Sequence, residues 1–209
     1  MKFYDCSTAP SPRRVRIFIA EKGIEIETVE VDLAAGEQFS EAFRKLNPDC
    51  VVPVLELDDG SSLTEVMGIC RYLEALHPEP PLFGGTPQEQ GLVQAWISKT
   101  EQQGLAAMAD AFRNATPGLK ARALPGPDSY EQIPELAERG RERVKKFLMR
   151  LDERLAESDY LAGGRFSAAD ITALVFVDFA RRGRIQPDAE TPGLDRWYAS
   201  VSARASASA

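Results

Sequence analysis

Val51-Val52-Pro53-Val54-Leu55, then Asp58-Asp59-Gly60, then Leu63-Thr64-Glu65-Val66 follow one another closely, and their types describe a seat for a small anionic ligand. A proline at the head of an apolar, β-branched run opens a strand that lacks one backbone donor. Asp-Asp-Gly between two short apolar runs is a hairpin turn. Glu65 to Leu76 has helical spacing, with Ile69, Tyr72, Leu73 and Leu76 along one face. A helix N-terminus at that place offers unpaired N–H groups to a carboxylate. Metal chemistry is not expected: His77 is the only histidine, and Cys6, Cys50 and Cys70 form no Cys-x-x-Cys pair. An odd, unevenly spaced set of cysteines fits reduced thiols in a cytoplasmic setting rather than a disulfide framework.

The rest of the composition narrows the partners. The chain has 209 residues, 44% hydrophobic and 27% charged, which is ordinary for a globular protein of one large or two modest domains. A net charge of −7 argues against a nucleic-acid surface. Arg13-Arg14-Val15-Arg16 and Arg181-Arg182-Gly183-Arg184 are local exceptions, read as solvated helix faces or as anion-binding patches. No apolar run approaches the roughly 18 residues of a membrane span. Met1-Lys2-Phe3-Tyr4-Asp5 lacks the basic-then-apolar form of a secretory leader.

The elements that must position the seat can be read from periodicity. Lys2 to Cys6 is a first strand. Pro12 suits the first position of a helix capped by Ser11, with Val15, Phe18, Ile19 and Lys22 as its stripe and Gly23 as its stop. Thr28 to Leu33 alternates as a second strand, and Phe39 to Leu46 is a short helix ended by Asn47-Pro48. With the opening segment the order is βαβαββα, a four-stranded mixed sheet with helices packed on it, which is the order of a thioredoxin-like domain. Residues 1–77 form that domain, the proline- and glycine-rich residues 78–87 a linker, and residues 88–209 an all-helical domain. Helical patterns run through Leu92 to Lys99, Leu105 to Phe112 and Leu136 to Leu155. Phe166-Ser167-Ala168-Ala169-Asp170-Ile171 has the form of a capping box with flanking apolar residues, a folding feature. The tail from Ser200 to Ala209 is small and polar and is expected to fray.

Taken in order, these features resemble the glutathione transferase family. The likeness is most specific over residues 51–73, and Arg14-Val15-Arg16-Ile17 with Glu21-Lys22-Gly23-Ile24 looks like the first helix of many members. The resemblance implies a cytoplasmic homodimer that uses glutathione as co-substrate and conjugates it to a hydrophobic electrophilic small molecule, as in detoxification. It implies that Pro53 follows a cis peptide bond and that the backbone of Val52 pairs with the cysteinyl part of glutathione. Glu65 matches the residue that meets the γ-glutamyl ammonium; its other reading is a first-turn acid favoured by the helix dipole. Gln38 matches a position facing the glycyl carboxylate.

Two positions depart from the family pattern. Val66 stands where a serine usually gives a hydroxyl to the γ-glutamyl carboxylate, a bond worth roughly 1.5–3 kcal/mol. The Val66 N–H and the helix dipole survive, so binding is weakened and not abolished. The serine or cysteine that stabilises the glutathione thiolate in many classes falls on Ala9, which has no donor. Ser11 and Thr8 are the candidate replacements, Ser11 being also a candidate helix cap. Trp96, Met108 and Phe112 either line an electrophile pocket or belong to the core. The alternative to a transferase is a non-catalytic binding protein that keeps the fold after losing sulfur activation; a thiol oxidoreductase using Cys6 is a further rival.

Overall fold

The computed structural model describes residues 1–209, which divide into two compact units. The first contains Met1–Pro80 together with Leu124–Ser129, and the second Pro81–Ala123 with Tyr130–Ser208.

In the first unit the order is β1 (Lys2–Asp5), α1 (Pro10–Lys22), β2 (Glu27–Glu30), a 3₁₀ turn (Glu37–Phe39), α2 (Glu41–Leu46), β3 (Val54–Glu56), β4 (Ser62–Thr64) and α3 (Val66–Leu76). The sheet runs β2-β1-β3-β4, with β1 parallel to β2 and antiparallel to β3, and β3 antiparallel to β4. That is the βαβαββα arrangement expected. Alternation along the strands sends neighbouring side chains to opposite faces. Tyr4 and Val54 pack with Val31 and Phe43 on one face, the Tyr4 and Phe43 rings meeting edge to face at 6.2 Å. Phe3 and Leu55, paired in register, are buried on the other. Gly23 ends α1 at φ 61°, a left-handed position that spares glycine the Cβ penalty, and Gly60 turns the Asp58–Gly60 hairpin at φ 82°.

Four expectations need correction. Helix α1 starts at Pro10 with Ala9 as its cap, so Ser11 lies inside the first turn and caps nothing. Two prolines near its start leave fewer N–H groups for a side chain to cap. Strand β2 stops at Glu30, because Asp32 instead folds back, its Oδ1 accepting from Ala34 and Ala35 N–H at 2.8 and 2.9 Å. The second helix is split: Ser40 accepts from Phe43 N–H at 3.2 Å and caps α2 anew after the 3₁₀ turn. The tail is structured, with a final 3₁₀ turn at Ala205–Ser208 and Ser206 buried.

The second unit is helical. It contains α4 (Pro87–Lys99), a π-helical stretch (Thr100–Leu105) running into α5 (Ala106–Arg113), then α6 (Pro134–Ala156), α7 (Ala168–Arg182) and α8 (Pro192–Ser202). Gly104, inside the π stretch, allows close packing: a Cβ there would lie 3.0 Å from ring atoms of Phe147 and Phe176. The expected box at Ser167 is present and larger than foreseen. Asp170 Oδ2 accepts from Ser167 N–H and Oγ at 3.0 and 2.9 Å, and Oδ1 from Leu161 N–H and Trp197 Nε1, both at 3.0 Å. No helix is long and apolar enough to cross a membrane.

Candidate functional site

Strand register brings the predicted residues to one end of the sheet. Tyr4 pairs with Val54, and Val54 with Thr64. The residues just beyond these pairs are therefore level with one another: Asp5-Cys6 leaving β1, Val52-Pro53 entering β3, and Glu65-Val66 leaving β4 for α3. Because α1 begins after the short Cys6–Ala9 turn, its N-terminus is at this end too. A hydrogen bond from Val31 N–H to the Asp5 carbonyl at 2.7 Å brings the exit of β2 alongside.

The Val52–Pro53 bond is cis. The chain reaches it through Asn47, a buried side chain that the sequence suggested only as a helix stop. Asn47 Nδ2 donates to the Val51 carbonyl at 2.8 Å, and Oδ1 accepts from Asp49 N–H at 3.0 Å. Cys50 bridges the same bend at φ 54°, its N–H bonded to the Asn47 carbonyl at 3.0 Å. Asn-Pro after an apolar helix was the available signal, since asparagine readily bonds the backbone two residues on. Gly126, from the second segment of this unit, lies with its would-be Cβ 3.5 Å from the Asp49 carbonyl; nothing in local periodicity foretold that.

Glu65 is the N-cap residue of α3 at φ 65°, ψ 128°, a conformation that costs a non-glycine residue about 1–3 kcal/mol and marks functional sites. Its exposed carboxylate caps nothing in its own helix. Val66 opens α3, and its side chain is buried. Gln38 is buried in the 3₁₀ turn after β2, and its Oε1 accepts no hydrogen bond, an uncommon state for a buried carbonyl oxygen.

Around the start of α1 the hydroxyls differ. Thr8 is exposed on the turn, its Oγ1 3.5 Å from Cys6 Sγ. Ser11 is half-buried between Pro10 and Pro12. Both prolines lack an N–H, so Ser11 supplies most of the donor capacity of that helix end. Helix α1 has no acid in its first turn, which Arg13 completes, and this leaves its N-terminal end electropositive. Cys6 is buried at 5% exposure, which disfavours disulfide exchange through it. Asp5, also buried, has its carboxyl pushed up by desolvation, against the pull of the Arg16 guanidinium 2.6 Å away. No group of three or more potential ligands gathers for a metal ion.

In the helical unit, Met108 and Phe112 line a cavity of about 250 Å³ together with Ala111, Thr116 and Ile185. Met108 is buried, Phe112 is 41% exposed, and Trp96 is half-buried beneath the Lys99 ammonium 4.5 Å from its ring centre.

This fold and this arrangement are shared with known proteins. Residues 8–76 match the profile of the glutathione S-transferase N-terminal domain, and residues 110–205 that of the C-terminal domain. Glutathione S-transferase 2 of Saccharomyces cerevisiae is 35% identical over 209 residues, 99% of this chain and 87% of the yeast protein. A glutathione S-transferase domain-containing protein of Marinobacter aquaeolei superposes with a TM-score of 0.91 at 36% identity, covering 99% of both chains. A Gtt2-class glutathione S-transferase of Vibrio parahaemolyticus superposes at 0.82 with 37% identity, over 99% of this chain and 94% of its own. The chain therefore belongs to the glutathione S-transferase family. It is a transferase with glutathione as co-substrate, and likeness along the whole chain favours this over the non-catalytic alternative.

Proposed function

We propose that the end of the sheet described above holds glutathione and that the start of α1 activates its sulfur. The convergence of three features carries the reading: the Val52–Pro53 entry to β3, the N-terminus of α3 behind Glu65, and the N-terminus of α1. The Val52 backbone pairs with the cysteinyl part of glutathione. Glu65 receives the γ-glutamyl ammonium in a charge-assisted bond, and the Val66 N–H with the α3 dipole receives the γ-glutamyl carboxylate. Gln38 faces the glycyl end. Ser11, supported by Thr8 and by the positive end of α1, stabilises the thiolate, and the thiol proton leaves to solvent. The sulfur lone pair then forms an S–C bond with the electrophile. In substitution the leaving group departs with its bonding electrons; in addition the displaced π electrons take a proton from solvent.

Apolar residues of the helical unit, Met108 and Phe112 among them, hold the body of the electrophile. The working form is a cytoplasmic homodimer acting in detoxification, with residues 1–77 supplying the glutathione site and residues 88–209 the electrophile site. Calorimetric titration with glutathione tests the core of this reading. Saturable binding is expected, and no heat at about 10 mM glutathione would sink it. Sedimentation at micromolar protein checks the dimer; a monomer that turns over a generic electrophile rules out a required second copy.

A further inference from the structure

The turn from Cys6 to Ala9 carries the candidate hydroxyl of Thr8, and two side chains of opposite charge grip it. Arg16, on the second turn of α1, reaches back toward the start of its own helix. Its Nη1 donates to Asp5 Oδ1 at 2.6 Å and to the Cys6 carbonyl at 3.4 Å, and its Nη2 donates to the Ser7 carbonyl at 3.1 Å. From β2, Glu30 Oε1 accepts both the Ser7 N–H and the Ser7 hydroxyl at 2.9 Å. The Cys6 carbonyl closes the turn by accepting from Ala9 N–H at 2.9 Å. A trans peptide is planar, so a carbonyl fixed toward Arg16 fixes the next N–H on the opposite side. Arg16 thus sets the direction of the Thr8 N–H, and Glu30 that of the Ser7 N–H. Arg16 makes these three contacts from two nitrogens of one rigid plane, a spread that the single nitrogen of a lysine does not reproduce.

We propose that Arg16 and Glu30 are positioning residues for sulfur activation, holding the peptide planes of the Cys6–Thr8 turn in the orientation that stabilises the glutathione thiolate. This rests on the reading of that turn and the start of α1 as the seat of the sulfur. Ala9 offers no side-chain donor, so the orientation of the turn's own dipoles governs how well an anion is held there. Neither charged residue touches the substrate; both act through Ser7 and Thr8.

Their opposite charges separate positioning from simple electrostatics. Removing a cation near a thiolate raises the pKa of the thiol, and removing an anion lowers it. Loss of positioning raises it in both cases. The experiment is a pH titration of bound glutathione, followed by the ultraviolet absorbance of its thiolate, in the wild type, Arg16→Gln, Arg16→Lys and Glu30→Ala. Calorimetric affinity for glutathione is measured on the same samples.

Arg16→Gln and Glu30→Ala are both expected to raise the thiol pKa by about one unit, a roughly tenfold loss of thiolate at pH values below it. Affinity is expected to stay within about threefold, because the anchors at Val52, Glu65 and Val66 are untouched. Arg16→Lys keeps the charge without the planar fork and is expected to behave as Arg16→Gln. A lowered or unmoved pKa in Glu30→Ala, or an Arg16→Lys protein indistinguishable from wild type, overturns the proposal, as charge alone would then account for the data. Because Asp5 is buried, Arg16→Gln is expected to lose stability. Glu30 is exposed, so Glu30→Ala decides the matter if the arginine variant does not fold. Absence of glutathione binding by the wild type would instead remove the underlying reading, and calorimetry shows that before any variant is compared.

Discussion

In the proposed glutathione site, Val66 puts a buried apolar side chain where a hydroxyl would meet a charged carboxylate, and the two demands on that position pull in opposite directions. Val66→Ser is expected to tighten glutathione binding by about tenfold, the worth of one hydrogen bond to a charged group. The same change removes a buried side chain worth about 1.5–3 kcal/mol, so the unfolding midpoint falls while affinity rises. Titration calorimetry and thermal melts of one sample check both signs. At the start of α1, Ser11→Ala is expected to lower kcat/KM for a generic electrophile by about tenfold with little change in KM for glutathione. An unchanged rate would hand the thiolate to the turn and the helix terminus alone. The partners of single residues were the least legible part of the chain. Ser11 was readable as a polar residue near a helix start, but not as one that fails to cap. Arg16 looked like part of a basic run, and its three acceptors lie up to 11 residues back in the chain.

Helices in this protein are tied down by groups that a periodicity reading passes over. Lys22 belongs to the apolar stripe of α1, and its ammonium is fully buried. It pairs with Glu74, donates to the carbonyls of His77 and Pro80 at 2.7 and 2.5 Å, and lies 5.5 Å from the Phe18 ring centre. One cation thereby fastens the end of α1 to the end of α3 and to the chain beyond it. Lys22→Ala strands a largely buried carboxylate and is expected to cost about 3–5 kcal/mol, read from the denaturant midpoint. A capping box likewise starts α4 at the end of the proline- and glycine-rich stretch. Thr86 Oγ1 accepts from Glu89 N–H at 3.2 Å, and Glu89 Oε2 accepts from the N–H groups of Gly85 and Thr86 at 2.9 and 3.1 Å. Those bonds, the one from Gly85 first, hold the Glu89 carboxyl below its ordinary value of 4.5. A depressed carboxyl stabilises the fold above its unfolded pKa, and the gain is lost as pH falls through the folded value. Wild type is therefore expected to outlast Glu89→Gln in thermal melts at neutral pH, with the gap closing as pH falls below about 4.5.

Across the whole molecule, the helical unit depends on one buried carboxylate. Asp170 joins α7 to Leu161 and, through Trp197, to α8, with four donors on its two oxygens. Burial pushes its carboxyl up and those donors oppose the shift. Asp170→Ala leaves the donors without a partner in the core and is expected to lower the melting temperature by about 10 °C, the equivalent of about 3–5 kcal/mol in a chain of this size. The Ser-x-x-Asp spacing announced the box, because a cap is a local bond between residues three apart. It said nothing of Trp197, which is 27 residues away. The same division runs through the fold. The βαβαββα order, the all-helical second half, the hairpin at Gly60 and the helix end at Gly23 were legible because apolar spacing and turn chemistry act over a few neighbouring residues. The boundaries of β2 and α2, the true cap of α1 and the ordered tail were misjudged, as side-chain bonds to the backbone and packing overrode local preference there. The alignment of Cys6, Val52 and Glu65 at one end of the sheet, the grip of Arg16 and Glu30 on one turn, and the placing of Gly126 against Asp49 come from register and close packing. Those depend on pairings between distant parts of the chain, which exist only once it has folded.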